Sequence, residues 1–198
     1  MTQLPGTSPH IFGIQQEDTP QNVMPYGWKL GYVEVGDNPE PHPGVDYSPW
    51  ARVGYGTACR VQYRWGDKGT FPTPDKLDAY VERVRTCVQN SLGVHRWQIG
   101  NEPNVPQEWN EGRKISPEYA AQCYDLCWDA IHGLPGHEYD EVITPPIGPW
   151  NDQYGIGWVP YFQRMLMSCT FVDAIALHTY THGYDPALVT SEAKMNAP

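Results

Sequence analysis

A short stretch near the middle of the chain carries the residue types best suited to chemistry. Residues 97–104 read WQIGNEPN, and their first part belongs to a predicted β-strand at 95–100. Glu102 would therefore stand just beyond the carboxyl end of that strand, which is where parallel barrels build their active sites. Gly100 allows other groups to approach the backbone closely. Asn101 places hydrogen-bond donors and acceptors beside the carboxylate, suited to binding a hydroxyl group.

The elements that must position these residues follow a repeated pattern. Short apolar runs alternate with amphipathic stretches, which is typical of βα units around a parallel sheet. The run of Val, Ala, Ile and Leu in the last strand is typical of a strand buried on both faces. Six strands are predicted, at residues 10–14, 29–35, 60–65, 95–100, 141–145 and 172–179.

Three helices are predicted between the later strands. The first begins at Thr73 and Pro74 and ends at Gly93, the second begins at Ser116 and Pro117, and the third covers residues 159–168. Ser and Thr suit the N-cap of a helix, and Pro suits its first position. Such units fit a (β/α)8 barrel or an open doubly wound sheet. The early strands lack a following Gly-rich phosphate turn, and this favours the barrel.

Composition limits the classes of partner. The chain has 198 residues, of which 40% are hydrophobic and 18% charged, so it can form a folded domain with a sizeable core. No linker divides it, and a single domain over residues 1–198 is expected. The net charge of -10 opposes binding to a phosphate backbone, so nucleic acid is not expected as a partner. No apolar run reaches membrane-spanning length, so no membrane partner is expected.

The cysteines and the N-terminus do not assign a compartment. The five cysteines are odd in number and lack zinc-ribbon spacing, and we expect buried thiols rather than a disulfide framework. The first ten residues, MTQLPGTSPH, lack the basic and apolar regions of a secretory signal. The protein is thus either cytoplasmic or secreted with its signal removed.

The tetrapeptide Gly-Asn-Glu-Pro at residues 100–103 resembles a known motif. It resembles the fourth-strand motif of the large clan of retaining glycoside hydrolases built on (β/α)8 barrels. The resemblance implies that Glu102 is the general acid/base and that Asn101 binds the sugar hydroxyl next to the anomeric carbon. It also implies a carbohydrate substrate and cleavage by double displacement, which needs two carboxylates and no cofactor.

The second carboxylate of that mechanism has no candidate in this chain. In the clan it comes from the end of the seventh strand, whereas Glu192 follows Thr179 by too few residues for a crossover helix and another strand. Residues 185–196 are predicted to begin the sixth helix instead. The chain is therefore expected to hold about six of eight βα units, with a nucleophile from outside it. The two open strand edges of such a sheet are expected to favour self-association.

The predicted sixth strand carries further candidates for the site. His178 and Tyr180 are two residues apart and so share one side of the strand. In related barrels, a His or Tyr at this strand end contacts the sugar or orients the nucleophile. Two alternative functions remain open: a non-catalytic carbohydrate-binding or remnant barrel, and a metal-dependent hydrolase that binds zinc through His178 and His182. The resemblance itself implies no metal.

Several residues of the loops and strand ends complete the predicted site. Arg64 and Trp65 end the predicted third strand on the same rim, where Arg64 is suited to hold a carboxylate. Trp109 and Trp150 follow the fourth and fifth strands, and each is a candidate for stacking on a sugar or for anchoring its loop. Two further carboxylates are predicted to be solvated loop groups, Glu108 and Glu111.

Overall fold

The computed structural model describes residue 9, residues 12–15 and residues 25–179. Within these residues, one sheet of parallel strands runs through the molecule, and its strands are hydrogen-bonded in the order in which they occur along the chain. The strands are β1 Gly13–Gln15, β2 Trp28–Glu34, β3 Gly56–Gln62, β4 Arg96–Ile99 and β5 Glu141–Ile143. The predicted α/β class is confirmed at this level.

The helices pack beside one another along the sheet. They are α1 Ser48–Arg52, α2 Leu77–Gln89, α3 Pro117–His132 and α4 Trp158–Ser168. Helix α2 contacts α3, and α3 contacts α4. The predicted start of α3 is confirmed, because the Ser116 hydroxyl accepts the N–H of Tyr119 at 3.0 Å and Pro117 takes the first position. Among the described residues, no helix combines the length and apolar composition needed to cross a membrane.

The two faces of the sheet differ in chemistry. Cys59, Val61, Trp97 and Ile99 are fully buried in the core shared with the helices. Burying side chains of this size stabilises the fold by roughly 1.5–3 kcal/mol each. The register sets Tyr32 beside Arg60 and Arg60 beside Gln98, on the face opposite to that core because side chains alternate along a strand. This polar face leads to the candidate site.

The third strand lies further toward the N-terminus than predicted. It was expected at 60–65 and spans Gly56–Gln62. It ends there because the N–H of Tyr63 donates to the carbonyl of Thr70, so the chain leaves the sheet and closes a loop. Its early start depends on pairing with β2, which outweighs the weak β-propensity of its Gly and Ala residues. As a result, Arg60 lies inside the strand, and Arg64 and Trp65 lie in the loop that follows it.

The start of α2 and several strand ends also differ from the prediction. A 3-10 turn, Pro74–Lys76, precedes α2, and the Thr73 side chain makes no capping hydrogen bond. The helix ends at Gln89, ahead of Gly93. The second, fourth and fifth strands differ from their predicted bounds by one or two residues at an end. The first strand was predicted at 10–14 and is observed at Gly13–Gln15, and residues 10 and 11 lie outside the described part.

The predicted sixth strand, at 172–179, forms no strand of the sheet. It makes a single parallel bridge, between Ile143 and Ala174, with the N–H of Thr144 donating to the carbonyl of Ala174. Its apolar side chains are largely exposed, reaching 63% for Leu177. The expectation of a strand buried on both faces was wrong, because in the described part of the chain only β5 pairs with this segment. Self-association through the sheet edges stays a prediction.

The cysteines behave as small buried hydrophobes. Four are buried, Cys169 is half-buried, and all five are free thiols. Burial raises the pKa of Cys87 and of Cys127 to about 12. These two thiols therefore stay protonated at neutral pH and are poor nucleophiles. The prediction of buried thiols without a disulfide framework is confirmed.

Candidate active site

A cleft of about 590 Å³ opens at the carboxyl edge of the sheet. That volume lies within the range of ligand-binding sites, which is about 300–1,000 Å³. The residues come from β1, β2 and β3, from the loops after β3 and β4, and from the segment after α4. They are Gln15, Tyr32, Arg60, Trp65, Asn101, Glu102, Glu108 and His178. The cleft thus lies where parallel sheets place their ligands.

The backbone turns sharply between β4 and the cleft. Gly100 has a φ of 75°, and its N–H still donates to the carbonyl of Val61 on β3 at 2.8 Å. Glu102 has a φ of 34°, which is rare for a residue with a side chain. Strain of this kind costs on the order of 1–3 kcal/mol and tends to occur at functional sites. The turn brings the Glu102 carboxyl group into the cleft.

His178 holds the carboxyl group of Glu102 from one side. The Nδ1 atom of His178 lies 2.7 Å from Oε1 of Glu102, and the two side chains are 24% and 16% exposed. One proton lies between these atoms, either on the ring nitrogen donating to a carboxylate or on a carboxylic acid donating to the ring. In both forms the contact fixes the orientation of the carboxyl group while leaving it open to the cleft.

The loop after β5 supports Glu102 from the other side. A side chain at Gly148 would overlap Val105 and would approach Oε1 of Glu102 to 3.4 Å, so this position accepts only a glycine without rearrangement. Asn104 is 1% exposed and binds Gly148 twice. Its amide donates to the Gly148 carbonyl at 2.8 Å and accepts the Gly148 N–H at 2.9 Å. The loops after β4 and β5 are thereby fixed together behind the carboxyl group.

Asn101 is the centre of a buried polar network. Its Oδ1 accepts from Arg60 at 2.9 Å, its Nδ2 donates to Glu108 at 2.7 Å, and its backbone N–H donates to the Thr70 hydroxyl at 2.6 Å. A guanidinium group only donates, so the amide oxygen of Asn101 must face Arg60. The amide is therefore fixed in one orientation. The second N–H of Nδ2 takes no part in these bonds.

Two exposed aromatic rings form one wall of the cleft. Trp65 is 49% exposed and Tyr32 is 44% exposed, with ring centroids 5.6 Å apart. The guanidinium group of Arg60 lies 5.1 Å from the Trp65 ring and 5.7 Å from the Tyr32 ring. Such cation–π contacts hold the rings in place while their outer faces stay open. The wall offers flat apolar surface next to the polar network.

A comparison with known protein families identifies the family of the chain. The family model described as glycosyl hydrolase catalytic core matches residues 54–193. The chain belongs to this family. The matched region contains Asn101, Glu102, Glu108 and His178 from the cleft. No curated protein and no solved structure shows significant similarity to the chain.

In this member of the family, four of the predicted site residues line one cleft. They are Asn101, Glu102, Trp65 and His178. Arg64 lies elsewhere: its guanidinium group pairs with Asp37 at 3.1 Å and faces a separate depression of about 280 Å³. Tyr180 and His182 lie outside the described residues, so their roles stay predictions.

The two predicted loop tryptophans do not line this cleft. Trp109 is 6% exposed, and its ring N–H donates to the carbonyl of Pro103 at 2.9 Å, which is the loop-anchoring alternative. Trp150 is 49% exposed and packs edge-on against Trp158, with ring centroids 5.7 Å apart. A contact of Trp150 with substrate stays a prediction.

The sequence interpretation missed four residues of the cleft, Gln15, Tyr32, Arg60 and Glu108. In the strand predicted at 60–65, Arg60 and Arg64 share one face, and the predicted strand end at 65 drew attention to Arg64 rather than Arg60. Glu108 was predicted to be a solvated loop group, which was wrong, because it is only 7% exposed. The adjacent Trp109, an aromatic residue that could anchor the loop, was the available signal that this stretch is buried.

The protonation of Glu108 yields a first prediction. Burial raises the pKa of Glu108 and the charge of Glu102 adds to this, against the lowering effects of the Asn101 hydrogen bond and Arg60. The folded state therefore binds the proton more tightly than the unfolded chain does. The stabilisation of the fold by this bound proton is fully present below the pKa of about 4.3 in the unfolded chain. It is lost as pH rises through the raised pKa of the folded state.

Glu108→Gln removes this ionisation and keeps an acceptor for Asn101. Relative to the wild-type protein, we expect the variant to become more stable, with a larger free energy of unfolding, as pH rises from about 4 to about 8, because only the wild-type carboxyl group loses its proton. Urea unfolding across this pH range measures the difference. Glu111→Gln, at an exposed position three residues away, should show a smaller trend. A difference that is constant with pH for Glu108→Gln would contradict the assignment.

Proposed function

We propose that the chain forms, over residues 1–198, a catalytic domain of a retaining glycoside hydrolase with Glu102 as its general acid/base. One observation carries the proposal: the Glu102 carboxyl group lies in a cleft at the carboxyl end of the fourth parallel strand, bonded to His178 and next to the fixed amide of Asn101. Family membership supports the reaction class. The substrate is then a carbohydrate.

The strand order supports a (β/α)8 type of architecture. The strands are neighbours in chain order, as in a barrel, whereas a doubly wound sheet reverses its order at a switch point. The face opposite the helices carries Tyr32, Arg60 and Gln98, and it would be the barrel interior. The bridge between Ile143 and Ala174 continues the same order beyond β5.

The first chemical step breaks the glycosidic bond. Glu102 gives its proton to the glycosidic oxygen, the bond from that oxygen to the anomeric carbon breaks, and a carboxylate attacks that carbon to form a glycosyl-enzyme. In the second step Glu102 takes a proton from water, whose oxygen attacks the same carbon and releases the carboxylate. Retaining enzymes hold the two carboxyl groups about 5–5.5 Å apart.

The attacking carboxylate is not assigned to any residue of this chain. Glu108 is close to the site, yet its Oε1 is bonded to Asn101 and its Oε2 is closed to solvent. A nucleophile must reach the anomeric carbon, and neither oxygen is free to do so. We assign Glu108 a positioning role instead, because it fixes the amide of Asn101.

The remaining cleft residues bind and orient the substrate. The unused N–H of the Asn101 amide donates to the hydroxyl next to the anomeric carbon. Trp65 and Tyr32 offer apolar faces on which the C–H groups of a sugar ring can stack. His178 keeps the carboxyl group of Glu102 directed at the glycosidic oxygen.

The test is the anomeric configuration of the first product. The protein is incubated with a panel of oligosaccharides and aryl glycosides, and the reaction is followed by proton NMR. We expect the newly released sugar to keep the anomeric configuration of the substrate before mutarotation. Inversion would contradict double displacement, and saccharide binding without cleavage would favour the non-catalytic carbohydrate-binding alternative.

A further inference from the structure

A cluster of two histidines and one aspartate lies at the opposite end of the sheet from the cleft. We infer that His95, His137 and Asp140 form a binding site for a transition-metal ion of the Zn²⁺ type. One ligand atom from each residue lies within 4.8 Å of the others. Among the described residues, no other group of three His, Cys, Asp or Glu side chains brings its ligand atoms this close together.

The sheet fixes two of the three ligands side by side. His95 directly precedes β4 and Asp140 directly precedes β5, and the neighbouring residues Arg96 and Glu141 are partners in the parallel ladder. The N–H of Glu141 also donates to the carbonyl of His95 at 3.0 Å. The positions of these two side chains therefore follow from strand pairing, and a metal ion would find them already adjacent.

A turn and a ring contact fix the third ligand. The N–H of Asp140 donates to the carbonyl of His137 at 3.1 Å, and the N–H of His137 donates to Leu134 at 3.0 Å. The rings of His95 and His137 lie with their centroids 5.7 Å apart. Both rings present the same atom to the carboxylate: Nδ1 of His95 lies 2.6 Å from Oδ1, and Nδ1 of His137 lies 2.7 Å from Oδ2.

The donor set suits a first-row metal ion. Two imidazole nitrogens and one carboxylate oxygen, completed by water, form a four-coordinate site of the kind that Zn²⁺ occupies, with bonds of about 2.0–2.2 Å. Tetrahedral geometry at those bond lengths needs ligand atoms roughly 3.3 Å apart, so small side-chain rotations suffice. An imidazole that binds the ion through Nδ1 carries its proton on Nε2, and the side chains of His95 and His137, 21% and 13% exposed, give that proton access to water.

Trp97 supplies the outer support that metal sites commonly have. Its ring N–H donates to Oδ2 of Asp140 at 2.7 Å, so Oδ1 can turn to the metal while Oδ2 keeps its partner. Asp140 is 3% exposed, which shields its carboxylate from solvent. Because the ligands stand before β4 and β5, an ion here would join the two strands to the loop after α3. Its effect would be on stability rather than on the cleft.

The chain contains a matched control for this geometry. His132 contacts Asp173 at 3.0 Å, and the ring N–H of Trp128 also donates to Asp173 at 3.0 Å. That site repeats the His–Asp–Trp combination with one histidine instead of two. His132→Gln should therefore leave metal binding unchanged, whereas His95→Gln and His137→Gln should each remove it.

The experiment is a titration of chelator-treated full-length chain with ZnCl₂. We expect one tight equivalent by calorimetry, a rise of several degrees in Tm, and the visible absorption of four-coordinate Co²⁺ when cobalt replaces zinc. The absence of heat and of a Tm shift would overturn the proposal. Full binding in both His95→Gln and His137→Gln would also overturn it, as would loss of binding in a His178→Gln, His182→Gln double variant.

A second readout needs no substitution and covers the case in which a variant fails to fold. In the wild-type protein, zinc should shift the Nδ1 resonances of His95 and His137 in ring ¹⁵N spectra. The resonances of His42 and His132, which lie outside the cluster, should stay in place. Shifts at other histidines without shifts at His95 and His137 would contradict the site.

Discussion

Replacing Glu102 by Gln is expected to lower kcat/KM for a glycoside with a poorly acidic leaving group by about 10²–10⁴-fold, the usual contribution of a general acid. The amide has the size and shape of the carboxylic acid, and it can still hydrogen-bond to His178. It has no proton of suitable acidity to give to the glycosidic oxygen. The loss therefore reports proton transfer rather than a change in the cleft, and circular dichroism and Tm should stay close to wild type.

The acidity of the leaving group provides the internal control for this experiment. A nitrophenolate departs without a proton, so the bond-breaking step of Glu102→Gln should suffer much less with such substrates than with an alkyl leaving group. Single-turnover kinetics on both substrate types separates the two cases. The exposed Glu111→Gln should leave both rates at the wild-type level. An unchanged rate with the alkyl glycoside would show that another residue is the acid.

The part of the site that follows β4 could be predicted because its determinants are local. The position of Glu102 depends on one strand and on the four residues that follow it, and all of these are contiguous in the sequence. The N-terminus of α3 is equally local, since Ser116 and Pro117 lie next to the helix that they begin. The count of strands before Glu102 was also sufficient to place it after the fourth parallel strand of the described part of the chain.

The buried partners of Asn101 could not be read from the sequence, because they depend on contacts between distant segments. The Arg60 side chain reaches Asn101 only because β3 pairs with β4 in one particular register. Glu108 is buried because the backbone of its turn accepts the N–H of Thr70, a residue thirty-eight positions earlier. Residues 172–179 are largely exposed because, in the described part of the chain, only β5 pairs with them. Their apolar composition indicates only that they are suited to a buried strand.

Gly100→Ala is expected to destabilise the fold by about 3 kcal/mol, because two penalties add at this position. The φ of 75° places a residue with a Cβ in the left-handed region, at a cost of about 1–2 kcal/mol. The added Cβ would also lie 2.6 Å from the ring of Phe71. That ring is fully buried and packs against Tyr80, so it cannot turn aside freely.

Gly112→Ala separates the two penalties. Its φ of 74° matches that of Gly100, but an added Cβ at Gly112 would meet no atom within 4 Å. Urea unfolding should therefore show only the backbone penalty of about 1–2 kcal/mol for this control. Phe71→Leu should recover part of the loss in the Gly100→Ala background, as a double-mutant cycle would measure. Equal costs at the two glycines would refute the contact with Phe71, and with it the packing that directs the chain from β4 into the cleft.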